Sequence, residues 1–182
     1  MEMTGEQLIP AAQADVWRGL NDPEILKACI TGCESIEMLT GTEYAIVTTA
    51  AIGPVKAKFR GKLLLADLDP PNSYSLSFDG QGGAAGFGKG SAKVSLAAEG
   101  AGTRLSYSVK AQVGGKLAQI GSRLIDGVAK KLADDFFAAF NRKMAGPAAA
   151  AAEPPADAAP AAAPLWWMVA IIAAMFLLAY LT

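Results

Sequence analysis

The chain has 182 residues, of which 52% are apolar and 18% are charged, with 16 Lys and Arg against 17 Asp and Glu. It contains no His, which excludes the Ser-His-Asp triad, His-ligated metal sites and the commonest general acid and base. A net charge of −1 gives no overall attraction to nucleic acid, and the apolar content argues against disorder over most of the chain.

The N-terminal part of the chain predicts one strand and two short helices. Residues 2–9 alternate weakly between polar and apolar, and residues 11–20 place apolar side chains at helical spacing. Asp22 and Pro23 then form a helix start, because Asp is a favoured N-cap and Pro is favoured at the first helical position. A second short helix therefore follows, and Gly32 ends it.

The middle of the chain has the pattern of an antiparallel sheet. From residue 34 to residue 113, apolar and polar side chains alternate with a period of two, and turn residues interrupt the pattern about every ten positions. In the clearest strand, residues 55–65, basic side chains occupy one face and apolar side chains the other. A sheet with one apolar and one polar face is typically antiparallel.

Residues 116–144 return to helical periodicity with a single apolar stripe. They predict one continuous helix of about 40 Å, which contains Gly121 and Gly127 and would lie across the apolar face of the sheet. The fold class is therefore α+β. A strand, two short helices, a run of antiparallel strands and a long final helix is the element order of the helix-grip fold.

Two low-complexity segments follow the predicted domain, which comprises residues 1–146. Residues 147–164 are eleven Ala, five Pro, one Glu and one Asp, which predicts an extended linker. Residues 165–181 are seventeen consecutive apolar residues, enough for a C-terminal transmembrane anchor. The aromatic residues at the ends of this segment are Trp166, Trp167 and Tyr180. Because residues 1–30 contain no long apolar run, we expect no secretory signal and a domain on the cytoplasmic side of the inner membrane.

Four separate segments of the predicted domain resemble the family of the CoxG subunit of carbon monoxide dehydrogenase, within the START-like (SRPBCC) superfamily. They are residues 11–37, 53–62, 80–94 and 114–140. The resemblance covers about residues 1–145 and departs at Thr31, where the family pattern leads us to expect Pro. It implies a helix-grip fold, a molybdenum hydroxylase that oxidises carbon monoxide as the partner, and an apolar ligand between the sheet and the long helix.

The resemblance and the lack of an obvious catalytic cluster together favour a carrier over an enzyme. We expect a respiratory quinone, menaquinone or ubiquinone, as a non-covalent ligand that links the dehydrogenase to the respiratory chain, with no metal. The residues predicted to line the cavity are Phe59, Leu63, Tyr74, Phe78, Phe87, Leu105, Tyr107, Val109, Leu117, Ile120, Leu124 and Val128. The alternatives are a membrane adaptor whose apolar interior is only core, and an enzyme of the same superfamily with an inward-pointing Asp or Glu.

The Gly-rich stretch 80–90 partly matches dinucleotide-binding and phosphate-loop motifs. Both motifs require a following helix whose N-terminus holds the phosphates, whereas the next residues alternate as a strand. The remaining interpretations are a flexible hairpin or a mobile flap at the mouth of the cavity, with Phe87 packed on the ligand. The predicted flap glycines are Gly82, Gly83, Gly86 and Gly88.

Two further groups of residues have both a structural and a functional interpretation. The basic face of the strand at 55–65 is either an ordinary solvated surface or a docking surface for an acidic partner or an anionic membrane. Its residues are Lys56, Lys58, Arg60 and Lys62. No neighbouring aromatics support nucleic-acid binding.

Cys29 and Cys33 lack the further ligands of a zinc or iron–sulfur site, which leaves two reduced thiols or a regulatory disulfide.

Overall fold

A computed structural model of the protein describes residues 1–146. The strands are β1 (Glu2–Ile9), β2 (Cys33–Met38), β3 (Glu43–Ile52), β4 (Val55–Asp69), β5 (Ser73–Gln81), β6 (Phe87–Glu99) and β7 (Gly102–Gly114). The helices are α1 (Gln13–Leu20), α2 (Pro23–Cys29), α3 (Lys116–Gln119) and α4 (Ser122–Met144), with a single 3₁₀ turn at Gly83–Ala85 between β5 and β6. The predicted linker, 147–164, and the predicted transmembrane anchor, 165–181, lie outside the described residues.

The seven strands form one antiparallel sheet in the order β1-β7-β6-β5-β4-β3-β2. Every strand from β2 to β7 pairs with its neighbour in sequence, and β1 joins the far edge by pairing with β7. The period of two along residues 34–113 thus predicted the strands correctly. Pairing of β1 with β7 depends on residues about a hundred positions apart, so local pattern could not predict it.

The predicted start of the second helix is confirmed. Asp22 Oδ1 accepts hydrogen bonds from the backbone N–H groups of Glu24, at 2.9 Å, and Ile25, at 3.3 Å. Pro23 occupies the first helical position, where a missing N–H costs nothing. Together α1 and α2 carry the chain from one edge of the sheet to the other.

The C-terminal helical region differs from the prediction of one continuous helix over 116–144. It is divided into α3 and α4 by Gly121, whose φ of +97° is a left-handed conformation that ends one helix and precedes the next. Gly121 is therefore a break between helices, whereas Gly127 lies inside α4.

The core lies between the inner face of the sheet, meaning the face toward the helices, and helices α1, α2 and α4. Its most buried large side chains include Ile9, Val16, Leu105 and Phe140, each at most 1% exposed. Thr103 is also fully buried, and its hydroxyl donates to the carbonyl of Ala11 at 2.7 Å.

Within residues 1–146, no helix is both long and apolar enough to span a bilayer.

Candidate ligand-binding cavity

A cavity of about 270 Å³ lies between the inner face of the sheet and the C-terminal half of α4. Its volume is just below the range of ~300–1,000 Å³ that is typical of small-molecule sites. This volume suits one ring system. The sheet strands, the end of α1, α2 and three residues of α4 supply its walls.

The lining of this cavity is apolar except for tyrosine. The residues are Met3, Leu20, Leu26, Ile30, Ile36, Tyr44, Leu63, Leu65, Tyr74, Leu76, Ala92, Val94, Leu105, Tyr107, Val109, Ala133, Phe136 and Phe137. None of them carries a formal charge. The cavity can therefore bury apolar surface readily, but its lining supplies no pair of groups suited to proton transfer.

Five of the twelve residues predicted from the sequence line this cavity. They are Leu63, Tyr74, Leu105, Tyr107 and Val109. All five lie on apolar strand faces, where the period of two indicates which side chains share a face. Their role in binding a ligand stays a prediction.

Three predicted aromatic residues, Phe59, Phe78 and Phe87, do not line the cavity. The rings of Phe59 and Phe78 lie close to glycines of a neighbouring strand or turn: a Cβ built on Gly82 would lie 2.4 Å from the Phe59 ring, and one on Gly90 would lie 2.8 Å from the Phe78 ring. Phe87 lies on the outer face of the sheet, because it alternates along β6 with the lining residues Ala92 and Val94. On that face, Lys89 Nζ lies 5.9 Å from the centre of the Phe87 ring.

Four predicted helical residues, Leu117, Ile120, Leu124 and Val128, also lie outside the lining. Leu117 is the buried residue of α3, whereas Leu124 is 43% exposed and lies with Ile120 against the β3–β4 turn at Gly53. The cavity lies beneath a later part of α4, at Ala133, Phe136 and Phe137. Helical periodicity identifies the buried stripe of a helix but not which of its turns covers a cavity.

The other lining residues were missed for two different reasons. Leu65, Leu76 and Val94 lie on the predicted apolar strand faces and could have been found by extending each face. By contrast, the lining residues of α1 and α2 close one end of the cavity because these helices fold back over the sheet, and Ile36 reaches it from the edge strand β2. No local signal in the sequence indicates that approach.

A stack of Phe137, Tyr107 and Gly5, here called the aromatic stack, connects α4 to the sheet. The rings of Tyr107 and Phe137 are nearly parallel with centroids 5.4 Å apart. On its other side, Tyr107 faces Gly5 in the directly opposite position of β1, where an added Cβ would lie 2.4 Å from the phenol oxygen. The ring of Tyr107 therefore fills the space that a side chain at residue 5 would need.

Tyr44 and Tyr74 lie at the end of the cavity away from the aromatic stack, and the pKa of each hydroxyl is raised. Burial raises the pKa of Tyr44, and the nearby charge of Asp22 raises it further. Burial, with a smaller effect of Tyr44, raises the pKa of Tyr74 well above its ordinary value. Both hydroxyls therefore keep their protons throughout the physiological pH range.

The predicted flap is packed against the start of α3. The backbone N–H of Gly82 donates to the carbonyl of Gly86 at 2.7 Å and closes the turn. Ala85 is 6% exposed, and a Cβ on Gly86 would lie 1.9 Å from the carbonyl oxygen of Gly114. Gly88, also predicted to belong to the flap, is a residue of β6. Movement of this turn on ligand binding stays a prediction.

Acidic neighbours partly neutralise the basic face of β4. Lys58 pairs with Glu34 and Lys62 pairs with Glu43, each at 2.7 Å. Hydrogen bonds from Lys58 and then from Thr49 lower the pKa of Glu34. Among the described residues, Lys56 and Arg60 have no ion-pair partner, so they carry the positive charge that is available to a partner.

Cys29 and Cys33 are free thiols, and burial is the main cause that raises the pKa of each. Cys29 is 2% exposed, and the Cys33 thiol donates to the carbonyl of Ser35 at 3.5 Å. In the part of the chain that the structure describes, no group of three or more Cys, Asp or Glu side chains is placed to hold a metal ion.

The family follows from comparison with known proteins. The sequence profile of the CoxG subunit of carbon monoxide dehydrogenase matches residues 5–145. The chain belongs to this family. No curated protein sequence is significantly similar to it.

Solved structures support the family's fold in this chain. A conserved protein from Geobacillus kaustophilus is 35% identical, with a TM-score of 0.75, and the match covers 80% of this chain and 95% of that one. A START superfamily protein from Mycobacterium smegmatis is 12% identical, with a TM-score of 0.61 and coverage of 79% and 96%. A protein from Thermus thermophilus is 18% identical, with a TM-score of 0.60 and coverage of 84% and 99%. The fold of this CoxG chain is START-like, with an antiparallel sheet and a C-terminal helix.

We predict that Gly5→Ala lowers the free energy of unfolding by about 1–3 kcal/mol, because the added methyl overlaps the ring of Tyr107 and the aromatic stack leaves it no room. The matched control is Gly80→Ala on β5, where the nearest atom to the new Cβ is 3.7 Å away. Gly80→Ala should change the free energy of unfolding by less than about 0.5 kcal/mol. Urea unfolding of the full chain, followed by circular dichroism, measures both, and equal effects would contradict the stack.

The packing of the glycine turn gives a second prediction. Gly86→Ala combines a φ of +111° with overlap of the Gly114 carbonyl and should lower the free energy of unfolding by at least about 3 kcal/mol. Gly83→Ala, at a φ of +58° with open space around it, should cost about 1 kcal/mol. If both variants unfold at the same urea concentration, the turn is not held by its contact with β7.

Proposed function

We propose that this CoxG protein is a membrane-tethered accessory protein of an aerobic carbon monoxide dehydrogenase and that its cavity binds the ring of a respiratory quinone. The observation that carries the proposal is the uncharged cavity between the sheet and α4. An uncharged lining suits a neutral, largely apolar ligand, since desolvating such a ligand costs little. Family membership supplies the partner enzyme.

The volume of the cavity limits how such a ligand binds. About 270 Å³ accommodates one ring system but not a ring together with a long isoprenoid tail. The tail must therefore leave the cavity and lie in a groove or in lipid. A carrier of this kind would hold the reactive ring while its tail keeps contact with the membrane.

The chemistry of the two partners balances. Oxidation of carbon monoxide to carbon dioxide with water releases two electrons and two protons. Reduction of one quinone to its quinol consumes two electrons and two protons. The protein's part in this proposal is to bind the ring and bring it to the enzyme, because the cavity lining has no Asp, Glu, Lys or His to move a proton.

The proposed tether consists of residues 147–164 and 165–181. The linker's five prolines and eleven alanines favour an extended segment, and the seventeen apolar residues suit an anchor in the cytoplasmic membrane. Lys56 and Arg60 on β4 are the proposed contacts with an acidic surface of the enzyme. The domain would lie on the cytoplasmic side and reach both the enzyme and the bilayer.

The small size of the cavity also favours a second function, that of an adaptor without a ligand. In that case the linker and anchor localise the enzyme, and the space beneath α4 is only a packing defect in the core. Bound lipid distinguishes the two functions, because only a carrier needs one.

We predict that filling the cavity removes the ligand. Organic extraction of the purified full-length protein, followed by mass spectrometry, should recover a quinone in near-stoichiometric amount. Ala133→Phe places a ring in the cavity and should lower the recovered quinone at least tenfold. The control is Ala138→Phe on the same helix, at an exposed position, which should leave it unchanged. Absence of any quinone or other lipid from the wild-type protein would leave the adaptor.

The tether is tested by cleavage instead of truncation, so that the domain folds in its full-length context. A protease site placed within residues 147–164 should be cut in inside-out membrane vesicles but not in intact cells. Cleavage should release a domain that keeps its quinone. If the site were not cut in inside-out vesicles, or if protease released the domain from intact cells, the proposed orientation would be wrong. If the protein were soluble before cleavage, the proposed anchor would be wrong.

A further inference from the structure

The polar side-chain groups of the cavity are three tyrosine hydroxyls, and they are not equivalent. The hydroxyl of Tyr44 donates to the carbonyl of Asn21 at 3.2 Å, at the end of α1. The hydroxyl of Tyr107 lies beside Gly5 and near Lys130, on a side chain that is only half-buried, and has no hydrogen-bond partner among the described residues. Tyr74 is the buried one of the two tyrosines without a partner, and it lies near Tyr44, since the latter contributes to its altered pKa.

Tyr74 combines a fixed ring with an unused donor. Its side chain is 6% exposed, and its ring meets Trp17 edge-on with centroids 5.5 Å apart. Val94 and Leu76 are its neighbours on the inner face of the sheet and are themselves part of the cavity lining. Among the described residues, no hydrogen-bond acceptor pairs with the Tyr74 hydroxyl.

The Tyr74 hydroxyl is not sealed inside the core. Among the described residues, Asn141 Oδ1 is the side-chain atom that is both fully buried and without a partner, so the Tyr74 oxygen borders open space. We take that space to be the cavity that its residue lines. A donor without a protein partner at the wall of a cavity is available to an acceptor on a ligand.

We propose that Tyr74 positions the ligand by donating a hydrogen bond to an oxygen of a neutral molecule, whose polar end lies beside Trp17 and Tyr44. This inference rests on the proposed function and adds the orientation of the ring within the cavity. The rest of the molecule then extends past Val109 toward Ala133 and Phe136, away from the tyrosine pair.

The lining also determines the charge of the ligand. A carboxylate in this cavity would meet no Lys or Arg side chain, and burying an unpaired charge is expensive. A carbonyl or hydroxyl oxygen needs only the one donor that Tyr74 offers. The ligand class is therefore a neutral carbonyl or alcohol with an apolar body, and a carboxylate is disfavoured at the position beside Tyr74.

The experiment measures the affinity of two probes of similar size for the full-length protein by isothermal titration calorimetry. One probe is 2-methyl-1,4-naphthoquinone, which has carbonyl oxygens, and the other is 2-methylnaphthalene, which has none. All variants are titrated in the same detergent, so that the fraction of each probe taken up by the micelles is the same in every titration. Decanoate is added as a competitor and should not displace the quinone.

Tyr74→Phe should weaken binding of the naphthoquinone about two- to tenfold and leave the affinity for the hydrocarbon unchanged, because a single neutral hydrogen bond is lost. The matched control is Ser77→Ala, which removes a hydroxyl from an exposed position on the same strand, outside the cavity, and should change neither affinity. The infrared carbonyl stretch of the bound quinone should lie at lower frequency in the wild type than in Tyr74→Phe, a shift that loss of packing alone would not produce.

The other outcomes separate this inference from the proposed function. If Tyr74→Phe weakened both probes equally, its role would be packing, and the positioning role would be wrong. If the wild-type protein bound the quinone and the variant bound it equally well, the cavity would remain a ligand site without this donor. Failure of the wild-type protein to bind either probe would overturn both proposals.

Discussion

The aromatic stack of Phe137, Tyr107 and Gly5 is the contact on which the functional part of the structure depends. It fixes the C-terminal half of α4 over the sheet, and the cavity lies directly beside it. Because the ring of Tyr107 lies on a glycine, the helix can approach while the inner face stays open at Leu76 and Ala92. A larger residue at position 5 would overlap this ring.

The same device recurs across the sheet. Phe59 and Phe78 on the inner face, and Phe87 on the outer face, each lie close to a glycine of a neighbouring strand or turn, which leaves room for the ring. Several glycines of this chain therefore belong to pairs with aromatic residues, and the segment that resembles a nucleotide-binding loop owes part of its composition to this packing.

Much of the fold could be predicted from local pattern, and less of the site. Alternation predicts which side chains share a strand face, so Leu63, Tyr74 and Val109 were found. It does not predict that a phenylalanine lies against a cross-strand glycine, since that depends on register. The helical stripe likewise could not indicate that the cavity lies under Phe136 and not Leu124, or that Gly121 divides the helix.

The pairing of β1 with β7 has a consequence for synthesis of the protein. Glu2 pairs with Lys110 and Ile9 with Thr103, so β1 is made first and waits for about a hundred further residues before its partner leaves the ribosome. The walls formed by β7 and α4 are also made last. The interior of the domain is therefore open to its surroundings until late in translation, and closure of the sheet and formation of the binding site are one late event.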